Sequence, residues 1–441
     1  MSKSNDLYER RKKVVANGVG TFVQMTAAKA SGATITDADG KKFIDLGGGI
    51  GVLNAGHCPP QVVKAIQAQA EKLIHACFHV STYEPYLELC EKLVALLPHG
   101  AKTKAMLTNT GAEAVENAIK IARQATQRPA VICFSDAFHG RSMMGMTLTS
   151  SINYKINCGP FAPEIYRLDF PNFYRAPAGL SEEKFSKQEL DKLERFVTTH
   201  VEAKAVAAII LELVQGEGGF NVAPKAYIKG LREFCDRNGI MLIFDEVQSG
   251  FGRTGKWGSY MHYDVTPDIS TWAKSMGGGM PIGAVVGKQE VMDAAKPGTI
   301  GGTYLGNPVC CAAALATIAM MEEQKLNERG VKIGKLVKDR FEKMAKTSPY
   351  IGDVRGLGAM IAVEFVKDKT TKEPHPDLCL AITSQCLEEG VILLKAGASK
   401  NVIRVLSPLT ISEEDLNRAL DIFESALQQA SGGAEKKRAA G

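Results

Sequence analysis

Four short apolar runs, set between segments of helical spacing, constrain this chain more than any other feature. They are Ala105-Met106-Leu107-Thr108, Ala130-Val131-Ile132-Cys133-Phe134, Ala207-Ala208-Ile209-Ile210-Leu211 and Ile240-Met241-Leu242-Ile243-Phe244. Runs this short and this uniformly apolar read as strands covered on both faces. Between them, Glu113 to Arg123 and Ala226 to Arg237 carry helical spacing, and the second stops at Asn238-Gly239. The alternation predicts an α/β fold with a largely parallel sheet. A chain of 441 residues also exceeds what one core supports, so a second packed unit is expected.

That second unit announces itself after about Glu322, where Lys325 to Lys346 reads as a long charged helix and Val354 to Phe365 as glycine-bearing apolar strand. Near the N-terminus, Ala33 to Thr36 and Lys42 to Leu46 flank Asp39-Gly40 and read as a hairpin. The more polar stretch from Phe161 to Glu202, with prolines 163, 171 and 177, is expected to be an insertion with surface helices.

The formal charge of +5 resides at the two ends. Residues 1–13 hold five basic side chains against Asp6 and Glu9, and residues 431–441 hold three against Glu435. Solvated termini account for this without a nucleic-acid partner. Ten cysteines show neither Cys-x-x-Cys nor zinc-type spacing, so no metal site is expected and a reducing compartment fits. An apolar signal core is missing at the N-terminus, and no run reaches the roughly 18 residues of a membrane span. The expectation is a cytoplasmic protein without a membrane partner.

The chemistry-bearing residues cluster where the predicted strands end. Asp245 closes the run Ile240–Phe244, which puts a carboxylate at the strand's C-terminal end, where open α/β sheets bind ligands. Lys274 follows the uncharged Ile269-Ser270-Thr271-Trp272-Ala273 and precedes Gly277-Gly278-Gly279, so it is expected to be desolvated and nucleophilic. Together they fit pyridoxal phosphate: the lysine amine condenses with the cofactor aldehyde, and the carboxylate keeps the pyridine nitrogen protonated. Thr110-Gly111-Ala112 opens a helix and offers free N–H groups to a phosphate, although Thr110-x-x-Glu113 is equally a capping box that needs no ligand. Phe138-His139-Gly140-Arg141 follows the second run closely, with Phe138 able to stack on a ring and Arg141 able to clamp a carboxylate. Glu217 lies among the glycines of Gln215-Gly216-Glu217-Gly218-Gly219.

From about Ala33 to Leu427 the chain resembles the class III (subgroup II) aminotransferases of pyridoxal phosphate fold type I, nearest to the branch acting on 4-aminobutyrate. The resemblance is carried by Thr110 to Ala118, Leu211-Glu212 with Gln215 to Gly219, Asp245-Glu246-Val247-Gln248-Ser249-Gly250 to Gly255, Ala273-Lys274-Ser275 and Gly301-Gly302-Thr303-Tyr304. It implies a large cofactor-binding domain over 61–325 with a mostly parallel seven-stranded sheet. A smaller α/β domain would comprise 326–430 with a contribution from 1–60, leaving 431–441 as a disordered basic tail.

By that resemblance Lys274 is the Schiff-base lysine and proton shuttle, Asp245 the pyridinium partner, and Thr110, Gly111 and Ala112 the phosphate cradle. Phe138, His139, Val247 and Gln248 surround the ring. Thr303 reaches the cofactor phosphate of a neighbouring subunit, which implies a homodimer or homotetramer. Arg141 grips the distal carboxylate of an ω-amino acid donor. Arg404 grips the α-carboxylate of the 2-oxoglutarate acceptor and pairs with Glu217 when the donor, lacking that group, is bound. Ile50, His79 and Glu212 complete the substrate surroundings. The chain departs from the pattern at Phe138 (usually Tyr), His79 (Gln), Ala112 (Ser) and Leu213 (Pro). The implied reaction is ping-pong amino transfer from 4-aminobutyrate to 2-oxoglutarate. A different amine donor or an amino-acid epimerase on the same scaffold is the alternative.

Overall fold

A computed structural model describes residues 2–439 of the chain, and the side chains of 2–432. Its centre is a seven-stranded sheet built from Thr103–Thr108 (β1), Ala130–Phe134 (β2), Ile165–Leu168 (β3), Val206–Leu211 (β4), Met241–Asp245 (β5), Ile269–Trp272 (β6) and Gly283–Lys288 (β7). The spatial order is β1-β7-β6-β5-β4-β2-β3. Every neighbouring pair is parallel except the two made by β7, which runs antiparallel to β6 and β1.

The strands are apolar on both faces because both faces are covered. Ala208 and Ile210 of β4 point into one core with Val131, Ile243 and Val285, while Val206, Ile209 and Leu211 point into the other with Ile132, Leu242 and Phe244. Helix Gly111–Thr126 packs Ala114, Val115, Ala118 and Ile119 into the first core. Helix Lys225–Asn238 packs Tyr227, Ile228, Leu231 and Phe234 into the second, and Gly239 ends it in the left-handed conformation at φ 61°.

The stretch 161–202, expected as an insertion of surface helices, is also part of the sheet. Its residues 165–168 form β3, parallel to β2, and Glu182–Thr199 is the helix that follows. β3 is an edge strand and only half-buried, so its Tyr166 and Arg167 interrupt the apolar signature that marks the central strands.

Two smaller sheets flank this one. The predicted hairpin is present as Thr34–Asp37 and Lys42–Asp45, with Ala27–Ser31 on one side and Val391–Ile392, parallel, on the other. The C-terminal third folds Ile351–Leu357, Met360–Phe365, Val402–Val405 and Leu394–Ala396 into a sheet that carries Arg404. Helix Leu326–Thr347 packs on the first hairpin of that sheet. The last helix is Glu413–Ala439, which enters the basic segment 431–441; residues 440 and 441 lie outside those described.

Candidate active site

The C-terminal ends of β1, β2, β4, β5 and β6 and the loops beyond them enclose a cavity of about 550 Å³. Its wall includes Thr110, Gly111, Ala112, Phe138, His139, Arg141, Glu212, Glu217, Asp245, Val247, Gln248 and Lys274, so twelve of the residues picked from the sequence meet in one space.

Asp245 is the last residue of β5 and is 4% exposed. Its Oδ1 accepts from the Val247 N–H at 3.1 Å and the Thr271 hydroxyl at 3.0 Å, and its Oδ2 lies 2.7 Å from His139 Nδ1. Three donors from three segments fix the carboxylate's orientation. Glu246, one residue on, turns the other way and accepts from Ser249, Ser259 and the Tyr260 N–H. Burial raises its pKa above the ordinary carboxylate value.

Lys274 follows β6 with φ 49°, a left-handed conformation that costs a non-glycine residue energy and marks a constrained position. Desolvation pulls its amine down to about 8, and the nearby Glu217 partly opposes that pull. A substantial fraction of neutral, nucleophilic amine is therefore present near neutral pH.

Opposite, Thr110 caps helix Gly111–Thr126 by accepting from the Glu113 N–H at 3.1 Å. The Glu113 carboxylate folds back onto the Asn109 N–H at 2.8 Å and takes no part in the cavity wall. The cap thus turns the Glu113 carboxylate away from the cavity and leaves room there for an anion. A Cβ at Gly111 would sit 2.7 Å from Val247 Cγ1, so close packing of the loop on Val247 requires glycine here.

Arg404, 2% exposed, donates to Glu217 Oε1 at 2.6 Å and to the Gly216 carbonyl at 3.1 Å. Arg404 with its hydrogen bonds holds the Glu217 pKa below the usual carboxylate value, although burial alone pushes it up. Arg141 is exposed at the mouth, with its guanidinium 4.6 Å from the centre of the Tyr154 ring. Glu212 is buried, accepts from the Phe138 and Gly216 N–H groups, and has its pKa raised by burial, with His139 opposing and Asp245 adding.

Four predicted residues are not part of this wall, and one of them, Arg404, meets it through Glu217. Ile50 lies in the kinked turn Gly48–Gly51 at φ 66°, and Val52 lines the cavity in its stead. His79 is exposed and packs against the loop at Gly301, while Thr303 is exposed in that same loop. Sequence reading also missed Tyr154, whose hydroxyl donates to Glu217 Oε2 at 3.4 Å. The only signal for it was an aromatic in the polar stretch beyond Arg141.

The wall fits pyridoxal phosphate. Gln248 Oε1 and His139 Nε2 are buried polar atoms without a protein partner, in a cavity that offers an oriented carboxylate, a desolvated lysine and a helix N-terminus. Among the described residues no cluster of His, Cys, Asp or Glu could hold a metal ion.

An α/β sheet with this lysine, carboxylate and helix N-terminus defines a pyridoxal phosphate enzyme. The chain belongs to the class III aminotransferases, whose family model matches residues 14–427. It is 45% identical to a probable 4-aminobutyrate aminotransferase of Bacillus subtilis, over 95% of this chain and 97% of that one. It is also 45% identical to a 5-aminovalerate aminotransferase of Pseudomonas putida, over 97% and 100%. Among solved structures it is similar to the omega transaminase of Pseudomonas jessenii in complex with PMP, with a TM-score of 0.90 and 25% identity over 96% of this chain and 98% of that one. The chain is a transaminase of fold type I that uses pyridoxal phosphate, with an amino donor and a keto acid as substrates. No described helix is long and apolar enough to cross a membrane.

Proposed function

We propose that this enzyme transfers the amino group of 4-aminobutyrate to 2-oxoglutarate, giving a semialdehyde and glutamate. The observation that carries the reading is the Arg404–Glu217 pair at 2.6 Å, whose Glu217 shares the cavity wall with Arg141. A donor with one carboxylate leaves one arginine without a ligand, and an unpaired buried guanidinium is unfavourable by several kcal/mol. Glu217 supplies the missing anion in the donor half and yields it to the α-carboxylate of the acceptor in the other half. Arg141 grips the distal carboxylate in both.

When bound, pyridoxal phosphate supplies an aldehyde that accepts the amino group and a ring that withdraws electrons from the donor carbon. Gly111 and Ala112 would offer backbone N–H groups to its phosphate, and Asp245, oriented by His139 and Thr271, would keep its ring nitrogen protonated. Val247, Phe138 and Gln248 would hold the ring. Lys274 would hold the cofactor at rest, and its neutral Nζ would take the proton of the donor carbon.

Similarity of 45% to both a 4-aminobutyrate and a 5-aminovalerate enzyme makes donor length the question to settle. Purified protein with 2-oxoglutarate should release glutamate faster from 4-aminobutyrate than from 5-aminovalerate, and Lys274→Ala should release none. Racemisation of an amino acid without a keto product would favour the epimerase instead. The same reading makes the active unit at least a homodimer, since Thr303 lies outside its own chain's cavity and would complete a partner's. A cytoplasmic location goes with it.

A further inference from the structure

The two arginines that would grip substrate share a side chain. Tyr154, half-buried in the short turn Ile152–Tyr154, lies with its ring 4.6 Å below the Arg141 guanidinium and edge-on to Phe138 at 5.1 Å. Its hydroxyl donates to Glu217 Oε2 at 3.4 Å, while the other oxygen of Glu217 accepts from Arg404 at 2.6 Å. A continuous chain of contacts therefore runs from Arg141 through Tyr154 and Glu217 to Arg404.

We infer that Tyr154 is a positioning residue that couples the two carboxylate grips, offering Glu217 a donor when an acceptor's α-carboxylate takes Arg404, and carrying Arg141 on its ring. The inference rests on the ω-aminotransferase reading and deepens it. A dicarboxylate cannot occupy Arg404 until Glu217 leaves, and a half-buried carboxylate that loses a guanidinium needs another hydrogen-bond donor. The Tyr154 hydroxyl is already aimed at the oxygen that Arg404 does not use. Burial, with Glu217 second, raises the pKa of that hydroxyl, so it keeps the proton it donates. The ring face meanwhile attracts the guanidinium of Arg141 and restricts where it can point.

Equilibrium binding of unreactive carboxylates to the holoenzyme separates the two contributions. Glutarate needs both grips, and pentanoate needs Arg141 alone. Tyr154→Phe keeps the ring and removes the hydroxyl: glutarate should bind roughly fivefold more weakly and pentanoate unchanged within about twofold. Tyr154→Leu removes the ring as well and should weaken both. Calorimetric titration reads each constant without turnover, and the ratio of the two ligands is insensitive to a general loss of folding. Equal weakening of both ligands in Tyr154→Phe, no change in either, or intact pentanoate binding in Tyr154→Leu would overturn the coupling. Wild-type holoenzyme that binds neither ligand and makes no glutamate would overturn the ω-aminotransferase reading itself, and the coupling with it.

Discussion

Lys274 combines a strained backbone with an environment that charged residues rarely occupy. It sits in a left-handed backbone conformation, on the cavity wall, with an amine pulled down to about 8 by desolvation. The attacking species is the neutral amine, so protonation must oppose cofactor capture. The rate at which apoprotein takes up pyridoxal phosphate should rise with pH through about 8 and level off above it. Stopped-flow absorbance measures this directly; a rate that keeps climbing toward the pKa of a solvated lysine, near 10.4, would show that the amine is not desolvated. The sequence disclosed this residue because its context is local: an uncharged strand before it and glycines after it. Tyr154 was not legible for the opposite reason. Its partners Glu217 and Arg141 lie 63 and 13 residues away along the chain, and nothing in Ser151-Ile152-Asn153-Tyr154 marks the turn that points its ring inward.

Elements were readable where the apolar signature runs unbroken along the chain. Strands β1, β2, β4 and β5 and the helices Gly111–Thr126 and Lys225–Asn238 carry uniform or periodic apolar signatures and were located to within about three residues. β6 and β7 were not read as strands. β6 contains Ser270 and Thr271, whose hydroxyls find partners far along the chain, among them His99 and Asp245. β7 runs against the parallel pattern that the alternation predicted. Helix Leu326–Thr347 was legible from charge and spacing, but its docking was not. At Gly334 the helix lies directly on the backbone of the hairpin turn, where an added Cβ would collide with the Gly358 carbonyl. Gly358 is itself held against the backbone of Thr254, so neither side can yield by rotating a side chain. Gly334→Ala should therefore destabilise the protein by about 1–3 kcal/mol, despite alanine's better helix propensity. Thermal unfolding of the holoenzyme would read it as a lower Tm, and an unchanged or higher Tm would mean that the helix can lift from the turn at no cost.

At the scale of the molecule, distant stretches of chain are fastened around the site by buried polar contacts. Arg253, fully buried, donates to the carbonyls of Leu406 and Ser407 and to Asn54, whose own amide reaches the Phe251 carbonyl. The loop after Asp245, the N-terminal turn and the strand end carrying Arg404 are thus held in one arrangement, which fixes Arg404 relative to Asp245. This arrangement leaves out Thr303, exposed together with Tyr304 in a loop that does not line its own chain's cavity. If Thr303 completes a partner's phosphate site, each active site draws on two chains, and two different defects can complement. Homodimers of Lys274→Ala should be inactive, and homodimers of Thr303→Ala should bind pyridoxal phosphate more weakly, by roughly tenfold or more for one hydrogen bond to a charged group. A mixed dimer contains one site with Lys274 from one chain and Thr303 from the other, both wild type. Co-expression with two affinity tags isolates that species. It should show about half the wild-type turnover per dimer at a cofactor concentration that leaves the Thr303→Ala homodimer largely empty. A mixed dimer with no more cofactor affinity than the Thr303→Ala homodimer would place Thr303 outside the partner's site and leave each cavity to a single chain.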